Sequence, residues 1–127
     1  MVIESNLHLG KGIVRGDKFS IRRTVRGVPS GITISGSILT LKSTIATADP
    51  GLFQKSITSS NVAGTGQIEN TGASGVGTLR FDLDDSDTLL MAADTEYFFD
   101  IQVTLSSGDI YTLESGVTSA KAQVTTS

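Results

Sequence analysis

The sequence has no cysteine and no tryptophan, a single histidine, and two prolines in 127 residues. Without cysteine there are no disulfides, no thiolate metal ligands and no thiol nucleophile. His8 alone cannot build a histidine-rich metal centre, and a hydroxyl–imidazole–carboxylate triad would need it oriented by a buried carboxylate. It stands between Leu7 and Leu9, where alternation points it to solvent. Long apolar runs are missing as well. The stretch STIATADPGLFQ is too short and too polar to cross a membrane. The opening MVIESNLHLGKG has neither the basic n-region nor the apolar h-region of a signal peptide. These absences predict a soluble protein made in a cytosol, and not an enzyme. No catalytic residue, cofactor, metal, small-molecule substrate or membrane partner is assigned.

What the chain does contain is serine and threonine, together about a quarter of it, and 14 glycines. Small and β-branched residues at that level, with few prolines, favour short strands joined by turns over long helices. At this length the chain is expected to be one domain that buries roughly two thirds of its unfolded surface. Residues 1–12 are read as an N-terminal arm and residues 13–127 as a single sandwich.

Alternation supplies the strands. In FSIRRTV, Phe19, Ile21 and Val25 oppose Ser20, Arg22 and Thr24, while Arg23 interrupts the inward series. A cation there predicts an edge strand or a strand end, where its head reaches water. After the turn RGVPSGITISG, the segment SILTLKST sets Ile38 and Thr40 on one side and Leu39 and Leu41 on the other. GLFQKSIT alternates through Phe53, Lys55 and Ile57 after an Asp-Pro-Gly turn at 49–51. NVAGTGQIENTGASGVG reads as loop with one short strand anchored by Ile68. Leu79, Phe81 and Leu83 make a strand face, and Asp84, Asp85 or Ser86 is placed to cap a short helical turn through Leu90. In YFFDIQVTLSSGDIYTLESG, Tyr97, Phe99, Ile101, Val103 and Leu105 share one face, with Phe98, Asp100, Gln102 and Thr104 on the other. The SSGD turn returns the chain into a strand where Tyr111 and Leu113 alternate with Ile110, Thr112 and Glu114. Seven or eight short strands with at most one helical turn define an all-β, antiparallel immunoglobulin-like β-sandwich.

Few segments suggest chemistry. Arg15–Asp17 spell RGD, an integrin tripeptide, but its place just before a strand reads as an entry turn. Asp82–Asp87 crowd four carboxylates, yet Asp87 stands where a calcium loop needs glycine and Ala93 where it needs its final ligand. Capping a helical turn is the simpler use. The glycine-rich stretch lacks the Lys-Ser/Thr ending of a phosphate loop. Lys18, Arg22 and Arg26 could form an outward stripe, but without interleaved aromatics it does not predict nucleic-acid binding. A basic stripe that discourages edge-to-edge pairing accounts for it.

Charge is unevenly divided. Residues 1–47 carry seven Lys/Arg against two Asp/Glu, and residues 48–127 carry three against eleven, for a net −3. Either basic and acidic strands neutralise each other within the fold, or opposite poles meet between subunits. The candidate interface residues are Arg22, Arg26, Phe98 and Tyr111, the last two as the exposed aromatics that interfaces favour.

The order RGDKFSIRRTVRGVPSGITISGSILTLKS, then FQKSI, then GTLRFDLDDSDTLLMAADTEYFFDIQVTLSSGDIYTLESGVTSAKAQVT resembles small sandwich modules of tailed bacteriophages. It is similar to the N-terminal domain of siphophage upper baseplate proteins and to related tail, fibre-attachment and neck modules. The likeness spans residues 13–125 and is most specific over Tyr97–Gly116; the Arg-rich first strand departs from the family's Thr/Val run. It implies a structural virion protein, assembled in the host cytoplasm, acting as a tail, baseplate or neck adaptor. Its implied partners are other virion proteins and copies of itself. A capsid decoration protein, or a carbohydrate- or host-binding module, would use the same kind of sandwich.

Overall fold

The alternating segments become eight strands and one helical turn in a computed structural model that describes residues 2–5, 13, 16–44 and 51–120. The strands are β1 (Val2–Ser5), β2 (Phe19–Arg26), β3 (Ile34–Lys42), β4 (Phe53–Ile57), β5 (Gly66–Thr71), β6 (Val76–Leu83), β7 (Glu96–Leu105) and β8 (Ile110–Ser119), with α1 (Asp85–Thr88) between β6 and β7. They form two antiparallel sheets of order β1-β2-β6-β5 and β4-β3-β7-β8. Lettered A, B, C, C′, D, E, F and G in chain order, these are the ABED and C′CFG sheets of an immunoglobulin-like sandwich. Val2–Ser5, within the segment read as an arm, pairs with β2 from Val2–Arg26 to Ser5–Arg23.

Period-two hydrophobicity explains which side of each strand faces inward. Leu79, Phe81 and Leu83 of β6 and Tyr97, Phe99, Ile101, Val103 and Leu105 of β7 are all buried, as their alternation predicts. Ile21 and Val25 of β2 and Leu39 and Leu41 of β3 fill the space between. Fully burying each such side chain contributes roughly 1.5–3 kcal/mol, so the packed inner faces dominate the stability of a fold without disulfides. Met91, from the corner after α1, and Ile13 also belong to this core.

The corner before β7 has its own fastener. Tyr97 is buried, and its hydroxyl accepts the Ala92 N–H at 2.7 Å. A tyrosine at the start of strand F that bonds back to the preceding backbone is the tyrosine corner of immunoglobulin-like sandwiches. Asp84 caps α1, and the Asp87 carboxylate accepts the Asp84 N–H at 2.8 Å. The same carboxylate meets Lys55 of β4 at 2.6 Å, tying the helical turn to the opposite sheet.

Arg23 corrects the sequence expectation. β2 lies inside its sheet, between β1 and β6, so it is neither an edge nor a place for an edge-guarding stripe. The Arg23 side chain points into the sandwich and is 1% exposed. It crosses to the other sheet, where Nε and Nη2 donate to the two Glu114 carboxylate oxygens at 2.9 and 3.0 Å. Nη1 donates to the Arg22 carbonyl at 2.8 Å. Glu114 also departs from the simple alternation that set it with Ile110 and Thr112. A bulge at Ile101/Gln102 pairs Ile101 with Glu114 and Gln102 with Thr112, leaving Leu113 as the extra residue. One extra residue reverses the phase of the strand beyond it, and Glu114 therefore turns inward.

Candidate docking surface

The sandwich has two outer faces, and their chemistry differs. On the β2-β6-β5 face, register places Arg22 opposite Arg80 and Ser20 opposite Asp82. Two adjacent guanidiniums would repel, but Glu69 of β5 lies beside both. Its two oxygens meet Arg22 Nε at 3.2 Å and Arg80 Nη1 at 3.1 Å. Arg80 Nε also lies 3.2 Å from Asp82, and the Ser20 hydroxyl donates to Asp82 at 2.9 Å. Exposed pairs of this kind contribute roughly 0–1 kcal/mol each. Their main effect is that the charges of this face are met from within the chain. The basic first third thus lies beside acidic strands, and Arg23–Glu114 repeats the pattern inside the fold.

The β3-β7-β8 face is organised around aromatic and hydroxyl groups. Side chains that point outward from three neighbouring strands fall into rows: Lys42, Phe98 and Val117 in one, Thr40, Asp100 and Ser115 in the next. Between them lies a groove of about 450 Å3, with Phe99 and Gly116 completing its lining. Phe98 is half-buried, and Val117 is 46% exposed. Gln54 of β4 holds the Thr40 hydroxyl at 3.0 Å. The half-buried Asp100 carboxylate meets no hydrogen-bond donor and no cation among the described residues, whereas Lys42 is engaged in an interaction of its own.

The four candidate residues are dispersed. Phe98 lies in this groove. Tyr111 is exposed but pairs with Val103, five residues further along β7, which is about 17 Å at the rise of an antiparallel strand. By register it also belongs to the opposite side of the sheet from Phe98. Arg22 and Arg26 are exposed on the other sheet; Arg22 is held by Glu69, and Arg26 also has a partner. The structure therefore joins none of these four to another in a single patch, apart from Arg22 and Arg26 on one strand. Lys42, Thr40 and Val117 complete the groove and were not singled out by sequence. The alternation of SILTLKST and YFFDIQV held part of the signal, but the register that sets Lys42 beside Phe98 is not written in either segment.

The remaining motifs are structural where they are described. Gly16 donates its N–H to the Thr88 hydroxyl at 3.0 Å, and that hydroxyl donates to the Asp17 carbonyl at 2.7 Å. The end of the RGD tripeptide is thus tied to α1; Arg15 and His8 lie outside the described residues. The acidic run is divided among several tasks: Asp82 serves the charged face, Asp84 the helix cap, and Asp87 both Lys55 and the Asp84 N–H. Asp85 accepts the Ser86 N–H at 2.9 Å. No group of three or more His, Cys, Asp or Glu among the described residues is arranged to hold a metal ion. Among the described residues no helix is long and apolar enough to cross a membrane.

No protein-family model matches the chain, and no curated protein matches it.

Proposed function

We propose that this protein is a structural module of a tailed-phage virion, an adaptor of the tail, baseplate or neck that works by docking to other virion proteins. The carrying observation is the contrast between the two outer faces. One neutralises itself through Arg22, Glu69, Arg80 and Asp82. The other leaves a groove with a half-buried aromatic ring and a carboxylate that meets no partner among the described residues. A groove mounted on the longest hairpin of a sandwich is a rigid surface suited to protein contact, since little order need be gained on binding. The resemblance of Tyr97–Gly116 to phage sandwich modules supplies the biological setting of this reading. The adaptor is present in several copies, as virion symmetry requires of such parts.

Immunogold electron microscopy of intact particles, with an antibody against this chain, tests the proposal. Gold at the tail, neck or baseplate is the expected result. Gold over the capsid replaces the adaptor with a decoration protein. Unlabelled particles from cells that make the protein abundantly reject a virion role altogether.

A further inference from the structure

We infer that the β3-β7-β8 groove is a receptor for a basic side chain, an arginine above all, presented by a partner protein. The inference rests on the docking role proposed above and names the chemistry that the docking surface reads. Three features carry it. Phe98 and Asp100 are two residues apart on β7, so they project from the same face about 7 Å apart. An aromatic ring and a carboxylate at that separation suit a guanidinium, which is attracted to the ring and donates a fork of N–H bonds to the carboxylate oxygens. The Asp100 carboxylate is half-buried, yet has no cation or donor among the described residues. Every carboxylate of the opposite face and of the acidic run, by contrast, has a partner within the chain. Lys42 lines the same groove one row away and has an interaction of its own, which is not with Asp100.

The groove walls add selectivity. Thr40, opposite Asp100 across the β3–β7 pair, accepts the Gln54 side-chain amide at its hydroxyl. Val117 and Phe98 form an apolar rim on one side that fits the methylene stem of arginine or lysine. An acidic side chain placed beside Asp100 would meet a like charge. Recognition is thus directed at cationic segments.

The test is an amide NMR titration of the full chain with the peptide acetyl-Gly-Arg-Gly-amide, with its neutral citrulline counterpart as the control. The expected result is a saturable shift of Thr40, Phe98–Asp100 and Ser115–Val117 amides with the arginine peptide. Citrulline binding should be at least fivefold weaker. Asp100→Asn and Phe98→Leu, each checked for an unchanged fold by amide dispersion, should each weaken arginine binding by at least fivefold. Equal shifts with citrulline, unchanged affinity in Asp100→Asn, or shifts centred on Asp84–Asp87 instead would overturn the inference. So would Asp100-dependent self-association of the chain without peptide, which assigns the groove to a second copy. Labelled particles with no arginine binding retire the groove and leave the adaptor role; arginine binding with unlabelled particles does the reverse.

Discussion

Removing the Glu114 carboxylate should expose how much of the sandwich depends on one ion pair between its sheets. Arg23 is 1% exposed and donates three hydrogen bonds, two of them to Glu114. Deleting one partner of a buried pair generally costs about 3–5 kcal/mol, because the other charge stays buried without compensation. The Glu114 side chain is 20% exposed, so water reaches that end of the pair. The lower part of the range applies, about 3 kcal/mol for Glu114→Ala, and for a domain of this size a fall in Tm of about 10 °C. Arg23→Met should cost less, since the remaining carboxylate sits at the rim. The double variant Arg23→Met with Glu114→Leu should return to within about 1 kcal/mol of the parent, as apolar replacements of buried pairs do.

Urea melts of the parent, Arg23→Met, Glu114→Leu and the double variant close a cycle and give the coupling energy directly. The cycle is needed because Glu114 has a further interaction, whose loss appears in Glu114→Ala but cancels in the coupling. A coupling of about 2 kcal/mol that persists in 1 M salt is expected, since buried pairs are poorly screened. Glu114→Ala within about 0.5 kcal/mol of the parent, or a coupling that vanishes with salt, would refute the reasoning and place the guanidinium in contact with water.

Three other perturbations probe separate parts of the fold. Tyr97→Phe removes the acceptor of the Ala92 N–H and should cost about 1 kcal/mol by thermal melt, with no change in strand content by circular dichroism. Gly66→Ala should cost roughly 2–5 kcal/mol, because Gly66 has φ +126° and a β-carbon there would strike the Arg80 carbonyl; Gly31→Ala, at φ +78° but in open space, should stay near 1 kcal/mol. Asp87→Ala loses both the Lys55 contact and the bond from the Asp84 N–H and should cost about 1–3 kcal/mol, with faster amide exchange confined to α1 and its neighbours. Loss of secondary structure throughout the chain in any of these variants would contradict the local roles assigned.

Sequence reasoning located most of the fold because period two is a local property. Leu79-Phe81-Leu83 and the odd-numbered side chains from Tyr97 to Leu105 face inward as their spacing dictates. The helix cap was legible in part: Asp84 was one of three candidates with Asp85 and Ser86, and it is the one that caps α1. Arg23 failed because its inward phase and its charge point to opposite conclusions, and the deciding fact is a partner 91 residues away. The groove failed for a related reason. Phe98 and Asp100 share a visible periodicity, but Lys42, Thr40 and Val117 join them only through registers fixed between β3, β7 and β8. Such pairings are long-range, and no single segment encodes them.

The buried lock and the groove trace to one residue. Had the alternation of Tyr111 and Leu113 run on unbroken, Ser115, Val117 and Ser119 would face the core and Glu114, Gly116 and Thr118 the solvent. Arg23 would then be buried without its carboxylate, an arrangement that costs several kcal/mol. The extra residue at Leu113 instead pairs Glu114 with Ile101 and Val117 with Phe98. It also turns Gly116 toward Phe99, where a β-carbon would come within 3.2 Å of the ring, so a glycine there leaves room for the aromatic. Leu113 itself remains buried at 6%, which adds apolar packing at the irregularity. Bulges of this kind re-aim side chains and are retained for that effect. Here the phase shift sends an acid inward to join the sheets and a valine outward to form the groove's rim, so the stability of the sandwich and the shape of its candidate docking face depend on the same local geometry.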